Sequence, residues 1–167
     1  MLAGGRASIA SERPLAAERE SPRWKSLTPE LARAWEGQVR ERRSEGDTLD
    51  WKELAARGRA AVRRLRAAGA PFLAGTDLGV AFAYPGTTLH EELAALVALA
   101  GLRPHEALCA ATSNAARWLG WDDAGTVSEG KRADLVLLDA DPLADIANVA
   151  RIRGVVRAGR WIGPEGR

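Results

Sequence analysis

The stretch Ala70-Pro71-Phe72-Leu73-Ala74-Gly75-Thr76-Asp77 constrains the fold of this chain more than any other. A short apolar run bounded by Pro and Gly reads as a fully buried strand, the kind found in a parallel sheet covered on both faces. The spacing puts Asp77 at the carboxyl end of that strand. In α/β folds that edge is where the connecting loops gather ligands and catalytic groups. Gly75 lets a ligand or another backbone come close. A second reading stays open, in which Thr76 and Asp77 cap a turn through their own side-chain hydrogen bonds.

Helical signals flank this stretch. Thr28-Pro29-Glu30 opens a helix, with Thr28 as cap and Pro29 in the first helical position. It runs to about Ser44, with Leu31, Ala34, Trp35 and Val39 on one stripe. A second helix spans from near Asp50 to Gly69, burying Trp51, Leu54, Ala55, Val62 and Leu65 and turning its arginines to water. Helix, short turn and buried strand form the closing half of a βαβ repeat. Residues 78–86 carry two glycines and a proline without helical period, a loop suited to an active-site wall. Thr88 then opens a capping box with Glu91, and Leu89, Leu93, Leu96, Val97 and Ala100 repeat at helical spacing up to Gly101. Helices over His105–Ala111 and from Ser113 to Gly120 follow. Residues 126–131, 133–139 and 152–162 read as short strands, with Leu143–Ile146 as a single helical turn and Arg157-Ala-Gly-Arg160 as a hairpin turn. Such a set is too small for an independent sandwich and must complete a sheet supplied from elsewhere. The chain thus divides into a loose tail over 1–21, an α/β part over 22–121 and a β part over 122–167.

Composition narrows the function classes. At 167 residues the chain is long enough for one domain or a piece of a larger one. With 46% hydrophobic and 28% charged residues it has an ordinary soluble balance. No apolar run approaches the ~20 residues of a membrane helix, and Met1-Leu-Ala-Gly-Gly-Arg6 has no apolar core of signal-peptide length. The lone Cys109 excludes an internal disulfide, fits a reducing compartment and reads as a small packing residue in an Ala-rich helix. A cytoplasmic location is expected. Residues 1–68 hold 15 Lys/Arg against 10 Asp/Glu and residues 69–167 hold 9 against 12, so a net +5 and a net −3 add to the overall +2. The basic run Arg57, Arg59, Arg63, Arg64 and Arg66 lacks interleaved stacking aromatics, which favours a solvated helix face over a nucleic-acid surface.

An ordered series of motifs carries a resemblance. Ala74-Gly-Thr-Asp77, Pro85-Gly86, Leu89-His-Glu-Glu-Leu93, Gly101-Leu-Arg-Pro-His-Glu-Ala-Leu108, Ala111-Thr-Ser-Asn-Ala-Ala116, Leu119-Gly120, Gly125-Thr-Val, Gly130-Lys-Arg-Ala-Asp-Leu-Val-Leu-Leu-Asp139, Asp141-Pro142 and Val155-Val-Arg-Ala-Gly-Arg160 together resemble the carboxyl-terminal part of metal-dependent amidohydrolases. The resemblance is greatest to the imidazolonepropionase-like and prolidase-like branch, and it covers about residues 22–163. It implies an incomplete amidohydrolase fold, the last strand and helices of a (β/α)8 barrel followed by carboxyl-terminal β-sandwich strands. Phe72 to Gly75 would be the eighth barrel strand, Thr88 to Ala100 the eighth helix, and Thr126 onward the sandwich. Asp77 would be the family's aspartate that binds the catalytic divalent metal, zinc by expectation, and takes a proton from the attacking water. A metal lowers the pKa of its water toward neutral and a neighbouring carboxylate accepts the proton as the water attacks a carbonyl. The implied substrates are small cyclic or linear amides, including dipeptides ending in proline.

The departure from the family pattern matters as much as the match. By the same resemblance a complete site needs a His-x-His pair, a carboxylated lysine or a glutamate, and two further histidines on earlier strands. This chain has two histidines, His90 and His105, both in helical runs. His90 reads as helix capping or support for the site and His105 as a surface or packing residue. One aspartate does not hold zinc, which needs three or four protein ligands. The expectation is a truncated hydrolase that is inactive alone and does not retain its metal. The alternative is a non-catalytic fragment or interaction module whose exposed barrel faces associate with a partner or with each other.

Overall fold

Local punctuation sets the helices. The computed structural model describes residues 15–44 and 51–163, apart from the side chains of 42–44, 51, 52, 54 and 55. Helices α1 (Leu15–Arg19), α2 (Pro22–Lys25), α3 (Pro29–Ser44) and α4 (Trp51–Ala67) precede the Asp77 stretch, and α5 (Thr88–Ala98), α6 (Pro104–Ala111) and α7 (Ser113–Leu119) follow it. Ser21 caps α2 by accepting from the Trp24 amide, and Thr28 Oγ1 accepts from the Leu31 amide at 3.3 Å at the start of α3. Of the tail expected over 1–21, residues 15–19 are helical, with Glu18 buried, and residues 1–14 lie outside the described residues.

Two separate apolar clusters hold these helices. In the first, Trp24, Trp35, Val39, Phe82 and Tyr84 bring α2, α3 and the loop after Asp77 together. The second joins Leu93, Leu96, Ala100, Leu102, Ala107, Ala110, Ile146 and Val149, with Phe72 and Ala74 packed against it. Ala107 and Ala110 are fully buried, and their small side chains let the neighbouring elements approach α6 closely. Val62 of α4 reaches this second cluster, but Leu65, expected in the core, is 53% exposed. The expected burial of Trp51, Leu54 and Ala55 falls on side chains outside the described residues.

The carboxyl-terminal part is a three-stranded antiparallel sheet in the order β1 (Leu135–Leu138), β2 (Ile152–Arg157), β3 (Arg160–Ile162). The expected hairpin joins β2 to β3, with Arg157 opposite Arg160. Leu137 pairs with Gly154 but Leu138 pairs with Ile152, so Arg153 is bulged out of the ladder. A Cβ on Gly154 would come within 2.1 Å of the Trp161 ring, so the indole lies directly on this glycine. A 3-10 helix, Ile146–Ala150, precedes β2 and buries Ile146 and Val149. It stands in place of the helical turn expected over Leu143–Ile146.

Three further expectations are corrected. Residues 70–77 form no strand. Its contacts include the Ala74 amide on the Ala110 carbonyl at 3.0 Å and Asn114 Nδ2 on the Phe72 carbonyl at 3.2 Å. A parallel strand exists only beside another strand, and none of the described residues supplies one. Residues 126–131 likewise form no strand and turn through Lys131 N and Ser128 O. Thr88 is the first residue of α5 rather than its cap, with its hydroxyl donating to the Tyr84 carbonyl at 2.9 Å. The described residues thus give a helical assembly with a small three-stranded antiparallel sheet. No helix among them is long and apolar enough to cross a membrane.

Candidate functional site

The loop that carries Asp77 is bracketed by two non-glycine residues in the left-handed region, Asp77 at φ 51° and Phe82 at φ 69°. Such backbones are uncommon outside glycine, and a bulky residue adopts one only where its surroundings impose it. For Phe82 the surroundings are aromatic. Its ring centroid lies 6.2 Å from that of Trp24 and 5.9 Å from that of Trp35. Asp77 is exposed, and its carboxylate makes no hydrogen bond or ion pair among the described residues.

Side chains from the amino-terminal helices tie the rest of the loop down. Gln38 of α3 donates from Nε2 to the Gly79 carbonyl at 3.0 Å and accepts at Oε1 from the Ala81 amide at 2.7 Å. The Tyr84 hydroxyl donates to Glu18 Oε1 at 2.6 Å. Burial, and then this bond to a carboxylate, push the Tyr84 phenol well above its ordinary range. Arg23 lies over the Tyr84 ring at 4.3 Å, and its guanidinium donates to Glu91 at 2.8 Å and to Thr87 Oγ1 at 3.0 Å. Glu91, expected in a capping box, instead holds Arg23. Beside this network a shallow pocket of about 200 Å³ is lined by Arg23, Leu27, Leu31, Tyr84, Pro85 and Thr87 among others.

The remaining candidates lie on α5 and α6. His90 is half-buried on α5 and His105 is exposed near the start of α6. Cys109, expected as a packing residue, is half-buried, with Sγ 3.7 Å from His105 Nε2. Among the described residues no group of three or more His, Cys, Asp or Glu could hold a metal ion. The donor set around Asp77 therefore does not by itself fit a divalent cation. Gln38, Glu18 and Arg23 were not legible as site residues, since their partners lie 43, 66 and 68 positions away. Nothing in their local pattern points there. Trp35, read as core, is buried, and so is Trp24.

Comparison with known proteins gives these residues a context. The amidohydrolase family profile matches residues 31–162. The imidazolonepropionase of Deinococcus deserti is 41% identical over 100 residues, 58% of this chain and 25% of that protein. The imidazolonepropionase of Rubrobacter xylanophilus is 39% identical over 111 residues, 62% of this chain and 26% of that protein. Among solved structures, a Bifidobacterium longum protein described as a prolidase superposes with a TM-score of 0.61 at 33% identity, over 75% of this chain and 33% of that one. The chain spans about a quarter of the length of these curated relatives.

Proposed function

The chain belongs to the amidohydrolase family, and we propose that it is the carboxyl-terminal portion of a hydrolase that cleaves a carbon–nitrogen bond in a small amide, with Asp77 as its contribution to the catalytic centre. The observation that carries this reading is the Asp77 loop itself. Within the matched region a single carboxylate is presented to solvent from a backbone held at φ 51°, by a loop that buried aromatic rings fix in place. Strained backbone that its surroundings over-determine concentrates at functional sites.

The substrate is a cyclic amide or a dipeptide, as the names imidazolonepropionase and prolidase among its relatives suggest. A divalent metal would take Asp77 as one ligand and draw the others from outside the described residues. These residues alone do not suffice for hydrolysis. In the same reading residues 22–121 close a (β/α)8 barrel and 122–167 add strands to a sandwich, and the segment 72–75 becomes a strand when a neighbour is supplied. Apolar side chains left in water, among them Leu73, Leu78, Val136 and Leu137, support the need for such a neighbour.

The test is complementation. The chain is expressed alone and together with the non-overlapping remainder of the Deinococcus deserti relative, and each preparation is assayed with a lactam and with Xaa-Pro dipeptides. Turnover is expected only in the pair, and Asp77→Asn is expected to lower kcat by about 10²–10⁴-fold. Equal turnover with Asn at this position overturns the role of Asp77, and turnover by the chain alone overturns its dependence on a partner.

A further inference from the structure

Gln38 lies three residues after Trp35 on α3, on the side of the helix that faces the loop, and Val39 beside it is anchored in the aromatic cluster. A carboxamide carries a donor and an acceptor side by side, the same pair that a neighbouring strand offers to a backbone. Here the two contacts fall on the two peptide groups flanking Val80. Nε2 holds the Gly79 carbonyl at 3.0 Å and Oε1 holds the Ala81 amide at 2.7 Å. The loop is pinned again just beyond, where Phe82 is buried. Upstream it is pinned by Asn114 on the Phe72 carbonyl and by the Ala74–Ala110 bond. Between these fixed points the chain turns through Asp77 at φ 51° and Gly79 at φ 116°.

We propose that Gln38 is a positioning residue for Asp77, its carboxamide fixing the backbone from Gly79 to Ala81 and thereby holding Asp77 in the left-handed conformation that presents its carboxylate. The proposal rests on the reading of Asp77 as the functional carboxylate and adds the group that sets its place. Only glutamine meets both requirements at this reach. Asparagine is one methylene short, glutamate lacks the donor, and leucine lacks both groups.

Backbone NMR on the isotope-labelled chain tests it without substrate, so a failed turnover assay leaves this test standing. In Gln38→Leu the Ala81 amide is expected to exchange with solvent about tenfold faster, as for loss of one ordinary hydrogen bond. The Cα and Cβ shifts of Asp77 are expected to leave the range of left-handed backbone, while the shifts of α3 stay in place. Gln38→Glu keeps the acceptor and should restore protection of Ala81, a rescue that a purely structural role of α3 would not produce. Arg33→Ala, whose partner Glu30 lies on the same helix, is the control and should move none of these signals. Unchanged Ala81 exchange and unchanged Asp77 shifts in Gln38→Leu would overturn the proposal.

Discussion

Trp35 offers the sharpest test of how this chain is held together. It is 1% exposed and its ring meets Tyr84 edge-on at 5.0 Å, Phe82 at 5.9 Å and Trp24 at 6.0 Å. Its indole Nε1 is buried without a hydrogen-bond partner among the described residues. Truncating a buried Trp to Ala costs about 3–5 kcal/mol, a range that already contains the ring–ring terms. An unpartnered N–H costs about 1–3 kcal/mol, and the truncation gives this back. The net loss for Trp35→Ala should therefore sit near the lower end, about 3 kcal/mol. Trp35→Phe keeps an aromatic ring in the cluster and removes the orphan donor, so it should cost about 1 kcal/mol or less. Urea unfolding followed by near-UV circular dichroism measures both. Because Trp35 and Leu96 belong to different clusters, amide exchange in α5 and α6 should change less than exchange in α3. A Trp35→Phe variant as unstable as Trp35→Ala would refute the reasoning, since the indole N–H would then be contributing a bond.

Other perturbations follow from the same contacts. Tyr84→Phe leaves Glu18 without its phenol donor and should cost about 1–2 kcal/mol, read from the urea midpoint. The raised Tyr84 pKa also means that this contribution is complete below the ordinary phenol value of about 10 and is lost as pH rises beyond it. Gly154→Ala places a methyl where the Trp161 ring lies, so the indole must swing away and its fluorescence should shift to the red. An unchanged spectrum would show that the ring does not rest on the glycine. The Arg103 backbone amide, and then its guanidinium, hold the Glu106 carboxyl down to about 2. Its folded-state pKa is depressed, so its stabilisation is present above the ordinary glutamate value of about 4.3 and is lost as pH falls toward about 2. Glu106→Gln should flatten the urea midpoint over that acid range, and an equally steep fall in the variant would assign the effect elsewhere.

The helices were legible because their signals are local. Thr28-Pro29, Gly69, Gly101, Pro104 and Gly120 bound elements that form within a residue or two of the expected ends. The β2–β3 hairpin was legible for the same reason. Phe72 to Gly75 has the composition of a buried strand, but strand formation depends on a neighbour that the described residues do not provide. In the site, Asp77 stood out through its position after Gly75. Its left-handed backbone did not, since aspartate signals that conformation only weakly. Gln38 was invisible because its contacts reach 41 and 43 positions along the chain, and a lone glutamine on a helix carries no pattern. Leu65 fell on the expected apolar stripe yet faces water, because α4 meets the second cluster through Val62.

The bulge at Arg153 matters for what the sheet refuses to do. Leu135-Val136-Leu137-Leu138 is apolar at every position, so it has none of the alternation that normally penalises a one-residue slide between strands. Nothing in that run would tell one alignment from the next. The unpaired Arg153 breaks the degeneracy, because its guanidinium meets Asp139 just beyond β1 at 2.6 Å. Sliding β1 by one residue would move Asp139 away from Arg153 and break that ion pair. One arginine outside the ladder thus acts as the detent of a ratchet, making a strand of interchangeable apolar residues settle in a single notch.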